Sequence, residues 1–291
     1  MAQWQGNSKG MPLGYRIFVA LMKYGGLYPA YGVLLFVAFY YFLFSTRTTK
    51  PLYQFFRLRC GFSVGKSIIM VYWGYYMIGQ MILDKVAVMA GLSSKFTHTS
   101  TGKENLTKMA TMKRGAILLG AHIGNWEIAG HFMTQYDTVV NILMYDGESE
   151  NIKQYLDSVT GGKKFNIIAI QKNLSHVYQM SEALMRGETI CMHADRFLEG
   201  NRTKALPFLG AEARFPLGPF QLIKSLKAPY TFVYGVKTGA MHYDFFARPL
   251  REVTDFDNVD AMLLDYVQDL EQMVKKYPSQ WFNYYDFWAK G

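Results

Sequence analysis

Cysteine is scarce in this chain, with only Cys60 and Cys191 among 291 residues. Two cysteines are too few for a disulfide framework, so we expect both to be reduced thiols in a protein that faces the cytoplasm. The sequence also has no Cys-x-x-Cys pair and no cluster of histidines and cysteines at metal-ligand spacing. We therefore expect no metal and no other cofactor.

Charged residues are also sparse, at 18% of the chain, whereas hydrophobic residues make up 50% and aromatic residues 16%. This composition excludes a disordered chain, and the length suffices for one well-buried domain with an appended element. The net charge of +9 is typical of proteins that bind nucleic acid, an anionic membrane or an acidic partner. Because zinc-finger spacing, RNP motifs and basic-region helices are all missing, we expect no nucleic acid and favour the other two partners.

The stretch Gly25–Thr46 contains no charged residue and is bounded by Lys23 and Arg47. Its 22 residues are about the length that crosses the hydrocarbon core of a bilayer. It lacks the small-residue cleavage pattern of a removable signal peptide. Pro29 near its start, and basic residues at both ends, argue against a simple span of clear orientation. We predict a membrane helix that either spans the bilayer or lies flat on it, with a buried core helix as the alternative.

Predicted strands and helices alternate in the rest of the chain from residue 115 onward. This alternation predicts an α/β fold with a mostly parallel central sheet flanked by helices. We divide the chain into an N-terminal membrane-associated segment, 1–50, and a single domain, 51–291. Strands are predicted at 116–119, 138–144, 166–169, 188–192, 230–236 and 241–248. Helices are predicted within 50–92 and at 125–135, 149–160, 173–186, 217–227 and 258–277. A polar connection is predicted over 95–108, with the start of a helix at 102–106, and a loop over 193–216.

The most informative stretch is Gly115–Gly130, where an apolar strand runs into a glycine-rich turn that carries His122, Asn125 and Glu127. Five residues along one helix would leave two side chains about 140° apart, so His122 and Glu127 meet only if the histidine precedes the helix. A histidine at the end of a strand, oriented by a carboxylate, can deprotonate a hydroxyl nucleophile. Gly124 and Asn125 would let the backbone approach a substrate, with N–H groups at the helix start stabilising an oxyanion. The alternative is a histidine that only satisfies the turn.

A second group of polar residues follows another predicted strand, beginning with Asp195 and Arg196. Ligands of parallel sheets bind beyond the carboxyl ends of the strands, so we expect both residues near the histidine. Arg202, Lys204 and Arg214 lie in a basic loop that suits phosphate recognition. The alternatives are a simple ion pair between Asp195 and Arg196, and a solvated or lipid-facing basic patch.

Three ordered segments resemble one known family. His122–Glu127 is similar to the His-x4-Asp/Glu signature of the lysophospholipid acyltransferase superfamily, in the form found in bacterial lipid A late acyltransferases. Residues 193–219 resemble that family's Asp-Gln…Pro-Phe-Phe-Gly…Pro-x-Gly-Pro block, and residues 277–288 resemble its C-terminal Pro-x-Gln-Trp…Trp signature.

The resemblance implies a glycerol-phosphate acyltransferase-like fold and an enzyme of the bacterial inner membrane whose site faces the cytoplasm. It implies transfer of an acyl chain from acyl carrier protein to a hydroxyl of a membrane lipid, with acyl-CoA as the alternative donor. In that scheme His122 is the general base and Glu127 orients it. Gly124 and Asn125, together with the second polar group, would bind substrate.

The chain departs from the family pattern at two places. Asp195-Arg196 replaces Asp-Gln, and the ending Asp286–Trp288 lacks the arginine that often precedes the final tryptophan. This ending and the Trp4–Ser8 pattern resemble acyltransferases of aryl polyene and flexirubin pathways, which would make the transferred chain an aryl polyene. Ordinary fatty acyl transfer to a lipid A precursor or lysolipid is the alternative. A thioesterase and a catalytically silent lipid-binding scaffold are two further hypotheses.

Overall fold

The computed structural model describes residues 12–126, 128–129, 138–144, 166–171 and 173–288. Its helices are α1 (Pro12–Gly25), α2 (Leu27–Phe44), α3 (Thr46–Gln54), α4 (Val64–Ala87), α5 (Lys103–Thr111), α6 (Ser175–Met185), α7 (Gly218–Leu226) and α8 (Val259–Lys276). Its strands are β1 (Thr97–Thr101), β2 (Ala116–Gly120), β3 (Val140–Met144), β4 (Asn166–Ala169), β5 (Thr189–His193), β6 (Thr203–Phe208), β7 (Ala211–Pro216), β8 (Tyr230–Gly239) and β9 (His242–Ala247). The predicted helices at 125–135 and 149–160 lie largely or wholly outside the described residues.

The central sheet has seven strands in the order β1-β9-β8-β2-β5-β3-β4. All neighbouring pairs in it are parallel except the hairpin β8–β9. Every residue of β2 is buried: Ile117 and Leu119 join the main core, whereas Ala116 and Leu118 join a second core against α5. Because side chains alternate between the two faces of a strand, both faces of the sheet are covered, as the unbroken apolar run predicts. The predicted mostly parallel sheet flanked by helices is confirmed.

Two strand pairings differ from the sequence-based prediction. β1 reads Thr-His-Thr-Ser-Thr and is largely exposed, so an edge strand without apolar alternation was predicted as a connection. The stretch predicted as a loop instead contains the antiparallel hairpin β6–β7, whose turn places Leu209 and Gly210 at positive φ. Positive φ at both central residues is the geometry of tight hairpin turns, and Leu at such a position gives no sequence signal.

Helix α2 packs against α4 at the N-terminal side of the molecule. Leu34 fits over Gly79, where a Cβ atom would lie 2.4 Å from a Leu34 methyl carbon. Among the described residues α2 is the one helix long and apolar enough to cross a membrane, and only 28% of it is buried. Phe36 and Phe44 are 78% and 67% exposed. The predicted N-terminal apolar helix is therefore confirmed, and its exposed aromatic surface suggests membrane association.

A buried polar network joins α2 and α4 to the sheet. The Asp84 carboxylate, fully buried, pairs with the ammonium of Lys237 and accepts hydrogen bonds from the hydroxyls of Tyr31 and Tyr243. The Lys237 ammonium also lies 3.2 Å from the Tyr31 hydroxyl. Removing one member of such a pair leaves the other charge buried without compensation.

We expect Asp84→Asn to lower the free energy of unfolding by about 3–5 kcal/mol, because the Lys237 charge would remain buried alone. Lys237→Met should cost a similar amount, and the double variant less than the sum of the two. Chemical unfolding in detergent measures these differences. Lys275→Gln, at an exposed ion pair with Glu271, is the control and should change stability by less than about 1 kcal/mol. Equal losses in the control and in Asp84→Asn would contradict the account.

Candidate active site

The turn that follows β2 is fixed by backbone hydrogen bonds to two other parts of the chain. The N–H of Gly124 donates to the carbonyl of Gln280 (2.9 Å) and the N–H of Asn125 donates to the carbonyl of Gly235 (2.7 Å). The N–H of Phe282 donates to the carbonyl of His122 (2.9 Å). The C-terminal segment 280–282 and strand β8 therefore hold the histidine at the end of β2. The N–H groups of Gly124 and Asn125 are not available to an oxyanion, contrary to the expectation from sequence.

Asn125 has a structural role through its side chain as well. Its Nδ2 donates to the carbonyl of Met81 (2.9 Å), and its Oδ1 accepts from the N–H of Ile128 (3.3 Å) at the start of the following helix. Nδ2 also lies 3.5 Å from the Tyr243 hydroxyl, a member of the buried Asp84 network. The turn is thus anchored to α4 as well as to the sheet.

Gly124 is at φ +66°, and a Cβ atom there would lie 2.0 Å from the carbonyl oxygen of Gly235. We expect Gly124→Ala to reduce activity at least 100-fold, because the turn must shift away from β8 and carry His122 with it. The matched control is Gly65→Ala in α4, where no atom lies within 4 Å of the added carbon. Activity of both variants, measured with equal amounts of membrane-bound protein, checks this prediction. A fully active Gly124→Ala variant would contradict it.

His122 forms two hydrogen bonds with the carboxylate of Asp195. Nδ1 of its ring lies 2.7 Å from Oδ1, and its backbone N–H donates to Oδ2 at 3.0 Å. Asp195 is fully buried, and its Oδ2 also accepts from the indole N–H of Trp281 (3.3 Å). This bidentate arrangement fixes both the position and the ring orientation of the histidine, as the carboxylate of a hydrolase triad does.

The pKa shifts favour a neutral base beside an ionised carboxylate. Burial lowers the pKa of His122 below its ordinary value, the positive charge of Arg196 lowers it further, and Asp195 opposes both. Burial alone would raise the pKa of Asp195, but the hydrogen bond from His122 and the positive charge of Arg196 hold it well below its usual range. At neutral pH the imidazole is therefore unprotonated and able to accept a proton.

The pH dependence follows from the direction of the His122 shift. A general base works in its unprotonated form, so kcat/KM should rise with pH through the pKa of His122 and level off above it. Because that pKa is lowered, we expect half-maximal kcat/KM below pH 6.5, the ordinary value of histidine, and a flat profile near pH 7. Initial rates at acid pH measure this rise of kcat/KM, the acid limb of the pH profile. A midpoint above pH 7 would contradict a buried, neutral base.

The other predicted site residues occupy different places. Glu127 lies outside the described residues. The guanidinium of Arg196 donates to the carbonyl of Phe282 and lies over the ring of Tyr285, 5.8 Å from its centroid. It lines the cavity beside His122.

The three basic residues of the predicted loop lie at the β6–β7 hairpin and line none of that cavity. Lys204 forms an ion pair with Asp260 of α8 (2.5 Å), and Arg214 donates to the Thr203 hydroxyl (3.3 Å). Arg202 is exposed beside them. Their use in substrate binding stays a prediction.

Two nucleophile patterns do not lead to a covalent site. Residues 61–65 have the form Gly-x-Ser-x-Gly, but the hydroxyl of Ser63 accepts from the N–H of Lys66 (3.4 Å) and caps α4, without a preceding strand. Cys191 lines the cavity, and burial raises the pKa of its thiol to about 12. A thiol with that pKa is not a nucleophile at neutral pH.

One further residue, which is not among the predicted site residues, joins the site. Nδ1 of His193 lies 3.3 Å from Nε2 of His122, with the two ring centroids 4.3 Å apart. Among the described residues, His122, His193 and Asp195 form the group whose ligand atoms could hold a metal ion, all within 4.8 Å. Both oxygens of Asp195 already accept hydrogen bonds that position His122, so the arrangement suits proton transfer at the ring.

A cavity of about 200 Å³ opens beside the two histidines on the face of the sheet that α5 covers. Its floor is formed by side chains of successive strands, including Leu118, Ile142, Cys191 and Val233. Trp126 also lines it. Apolar atoms dominate its described surface, and its polar lining includes His122, His193 and Arg196. A hydrocarbon chain bound there would present its reactive end to the histidine.

Comparisons with known proteins identify the family of the chain. No curated protein matches the chain. Among solved structures, it is similar to the 1-acyl-sn-glycerophosphate (LPA) acyltransferase PlsC from Thermotoga maritima, with 10% identity and a TM-score of 0.37 over 79% of this chain and 93% of that chain. A family model, described as the bacterial lipid A biosynthesis acyltransferases, matches residues 67–289. Because this match covers most of the chain, the protein belongs to the bacterial lipid A biosynthesis acyltransferase family and is an acyltransferase.

Proposed function

We propose that the enzyme moves an acyl chain from the thioester of acyl carrier protein to a hydroxyl of a membrane lipid, with His122 as general base. The observation that supports this most strongly is the pairing of His122 with the buried carboxylate of Asp195 at the mouth of an apolar cavity. Family membership supplies the reaction class, with an acyl donor and a lipid acceptor.

The proposed reaction needs one proton acceptor and no covalent enzyme intermediate. Nε2 of His122 takes the proton of the acceptor hydroxyl while its oxygen attacks the thioester carbonyl. The tetrahedral intermediate then collapses: the carbon–sulfur bond breaks, and the thiolate takes the proton from Nε2. An ester and a free thiol result, and His122 returns to its neutral form. Asp195 would hold the ring in the correct tautomer and stabilise the imidazolium in between.

Glu127 is the second carboxylate that we propose as an orienter of His122, on the strength of its spacing in the sequence. The role of Asp195 rests on observed hydrogen bonds and does not depend on that of Glu127. Two carboxylates around one imidazole would raise its basicity more than one does. We therefore expect replacement of Asp195 and of Glu127 to affect the same step.

The cavity is the proposed site of the acyl chain. Its apolar floor suits a hydrocarbon or a conjugated aryl polyene. The C-terminal Asp286–Trp288 segment of the protein favours the polyene. Arg196 at the reactive end would bind a phosphate or the pantetheine amides of the donor. Gly124 and Asn125, whose backbone shapes the adjoining turn, would border the thioester. Ordinary fatty acyl transfer to a lipid A precursor is the second candidate, which the family match itself favours.

Charge and surface suggest where the enzyme works. The net charge of +9 suits an acidic carrier protein and an anionic membrane. Arg202, Lys204 and Arg214 at the β6–β7 hairpin are proposed to contact phosphates of one of these partners. The exposed aromatic surface of α2 would anchor the protein to the bacterial inner membrane with the site on the cytoplasmic side.

Mass spectrometry of total lipids tests the proposed function. Cells carrying the wild-type protein are compared with cells carrying His122→Ala and with a matched control, His242→Ala, whose histidine lies on β9 and lines none of the cavity. We expect one acylated lipid to disappear in the His122 variant only, and its mass to identify chain and acceptor together. Identical lipids in all three strains, with equal protein in the membrane, would favour a lipid-binding scaffold.

A further inference from the structure

His193 is a second imidazole in the site that the proposed reaction has not yet used. It ends β5, directly beside the end of β2, because Gly120 and His193 are paired in the parallel register. Its ring lines the cavity and meets the ring of Trp126 edge-on, with centroids 5.2 Å apart. A Cβ atom on Gly120 would lie 3.2 Å from Cδ2 of His193, so glycine leaves the space that this ring fills.

The hydrogen-bond partners determine which nitrogens carry protons. The ionised carboxylate of Asp195 can only accept, so Nδ1 of His122 carries the proton that it donates. In a neutral His122, Nε2 is then the unprotonated nitrogen. The hydrogen bond between the two rings, at 3.3 Å, therefore runs from Nδ1–H of His193 to Nε2 of His122.

Hydrogen-bond donors for an oxyanion are otherwise few in the turn. The backbone N–H groups of His122, Gly124 and Asn125 donate to Asp195, Gln280 and Gly235. An oxyanion formed beside Nε2 of His122 needs a donor that already lies at that nitrogen. Nδ1–H of His193 is such a donor.

We propose that His193 is a second catalytic residue, whose Nδ1–H donates a hydrogen bond to the oxyanion of the tetrahedral intermediate. This inference rests on the proposed acyl transfer. In the resting enzyme the same N–H covers the lone pair of the base. When the acceptor hydroxyl donates its own hydrogen bond to that lone pair, Nδ1–H of His193 turns and donates to the carbonyl oxygen of the thioester. That oxygen and the attacking oxygen are bonded to the same carbon atom in the tetrahedral intermediate. His193 gives up no proton, so the proton balance of the reaction is unchanged.

The surroundings keep His193 neutral, as this role requires. Burial lowers its pKa well below the ordinary value, and the nearby positive charge of Arg196 lowers it further. A positive charge on His122 acts in the same direction. A neutral imidazole can act as a hydrogen-bond donor to a developing negative charge without transferring its proton.

The test compares residues that keep or remove a donor at the Nδ1 position. His193→Asn places its amide nitrogen close to Nδ1, His193→Gln places it one bond further out, and His193→Leu has none. Purified full-length variants are assayed for thiol release from thioesters of acyl carrier protein, with saturated fatty acyl and aryl polyene chains supplied in parallel. The acceptor is supplied as the lipid extract of cells that carry His122→Ala.

We expect His193→Leu to lower kcat by about 10²–10³-fold with little change in KM, as loss of one oxyanion donor does. His193→Asn should recover to within tenfold of wild type, His193→Gln should stay low, and all should keep the acid pH limb of His122. The donor role would be overturned if His193→Asn were as inactive as His193→Leu. It would also be overturned if all three variants had wild-type activity. If His193→Leu is unstable, the comparison of His193→Asn with His193→Gln still tests the donor role. These two side chains are equally polar and differ in where they place the amide nitrogen.

The wild-type protein separates the two claims. One outcome overturns this inference and leaves the proposed function intact: the wild type transfers the acyl chain, His122→Ala does not, and His193→Leu is fully active. Absence of transfer by wild type would overturn the proposed function and this inference with it.

Discussion

His122→Ala should lower kcat/KM for acyl transfer by about 10²–10⁴-fold, the contribution that a positioned general base makes. Without the imidazole, the acceptor hydroxyl must lose its proton to water in a site from which water is partly excluded. Nothing else in the described part of the cavity offers a neutral nitrogen at the same place, because His193 donates its N–H to His122. KM should change little, since the acyl chain would bind along the apolar floor.

Initial rates of ester formation with purified protein measure this loss. The side chain of His122 is 25% exposed, and without it the Asp195 carboxylate keeps the hydrogen bonds from the backbone N–H of residue 122 and from Trp281. Its removal should therefore leave the fold and membrane association unchanged. Flotation with liposomes provides that control. An active His122→Ala variant would show that the histidine serves the turn alone.

Asp195→Asn should lower kcat by about 10²–10⁴-fold through the tautomer of His122. The amide offers N–H groups where the carboxylate offers only acceptors. If Oδ1 of the new side chain still accepts from the N–H of His122 or from Trp281, its Nδ2 faces Nδ1 of the ring. Nδ1 must then accept, so the proton moves to Nε2 and the lone pair that serves as base is lost.

The pH profile distinguishes this mechanism from a general loss of structure. Asp195 opposes the burial of His122 by favouring the charged imidazole. Its replacement should therefore move the acid limb of kcat/KM to lower pH while the plateau falls. The matched control is Asp244→Asn on β9, which pairs with His242 and Thr99 away from the cavity. An unchanged plateau in Asp195→Asn would contradict the positioning role.

The sequence predicted the elements whose signals are local. The apolar run of β2, the glycine-rich turn after it and the alternation of strands and helices follow from side-chain periodicity and turn chemistry. β1 was not predicted because its polar residues lie on an exposed edge of the sheet, where burial imposes no alternation of apolar and polar residues. The β6–β7 hairpin was not predicted because Leu209 adopts a positive φ in its turn. Leucine is not a residue whose presence indicates such a turn.

The partner of His122 depended on long-range register. The spacing along the chain pointed to Glu127, five residues away, whereas the observed hydrogen bonds come from Asp195, 73 residues away. Gly120 pairs with His193 in the parallel register, so residues two positions further on, His122 and Asp195, lie side by side. Sequence analysis placed both beyond the strand ends but could not give that register. The same register places His193 beside His122, a contact that the sequence analysis did not predict.

The most direct test of the central claim is reconstitution with purified components. Wild-type enzyme in detergent is given fatty acyl and aryl polyene thioesters of acyl carrier protein with the lipid extract of His122→Ala cells. The products are identified by mass spectrometry. The account predicts an acylated lipid and a free thiol in equal amounts, both lost when His122 is replaced. Release of free fatty acid without an acylated lipid, or ester formation that survives His122→Ala, would contradict it.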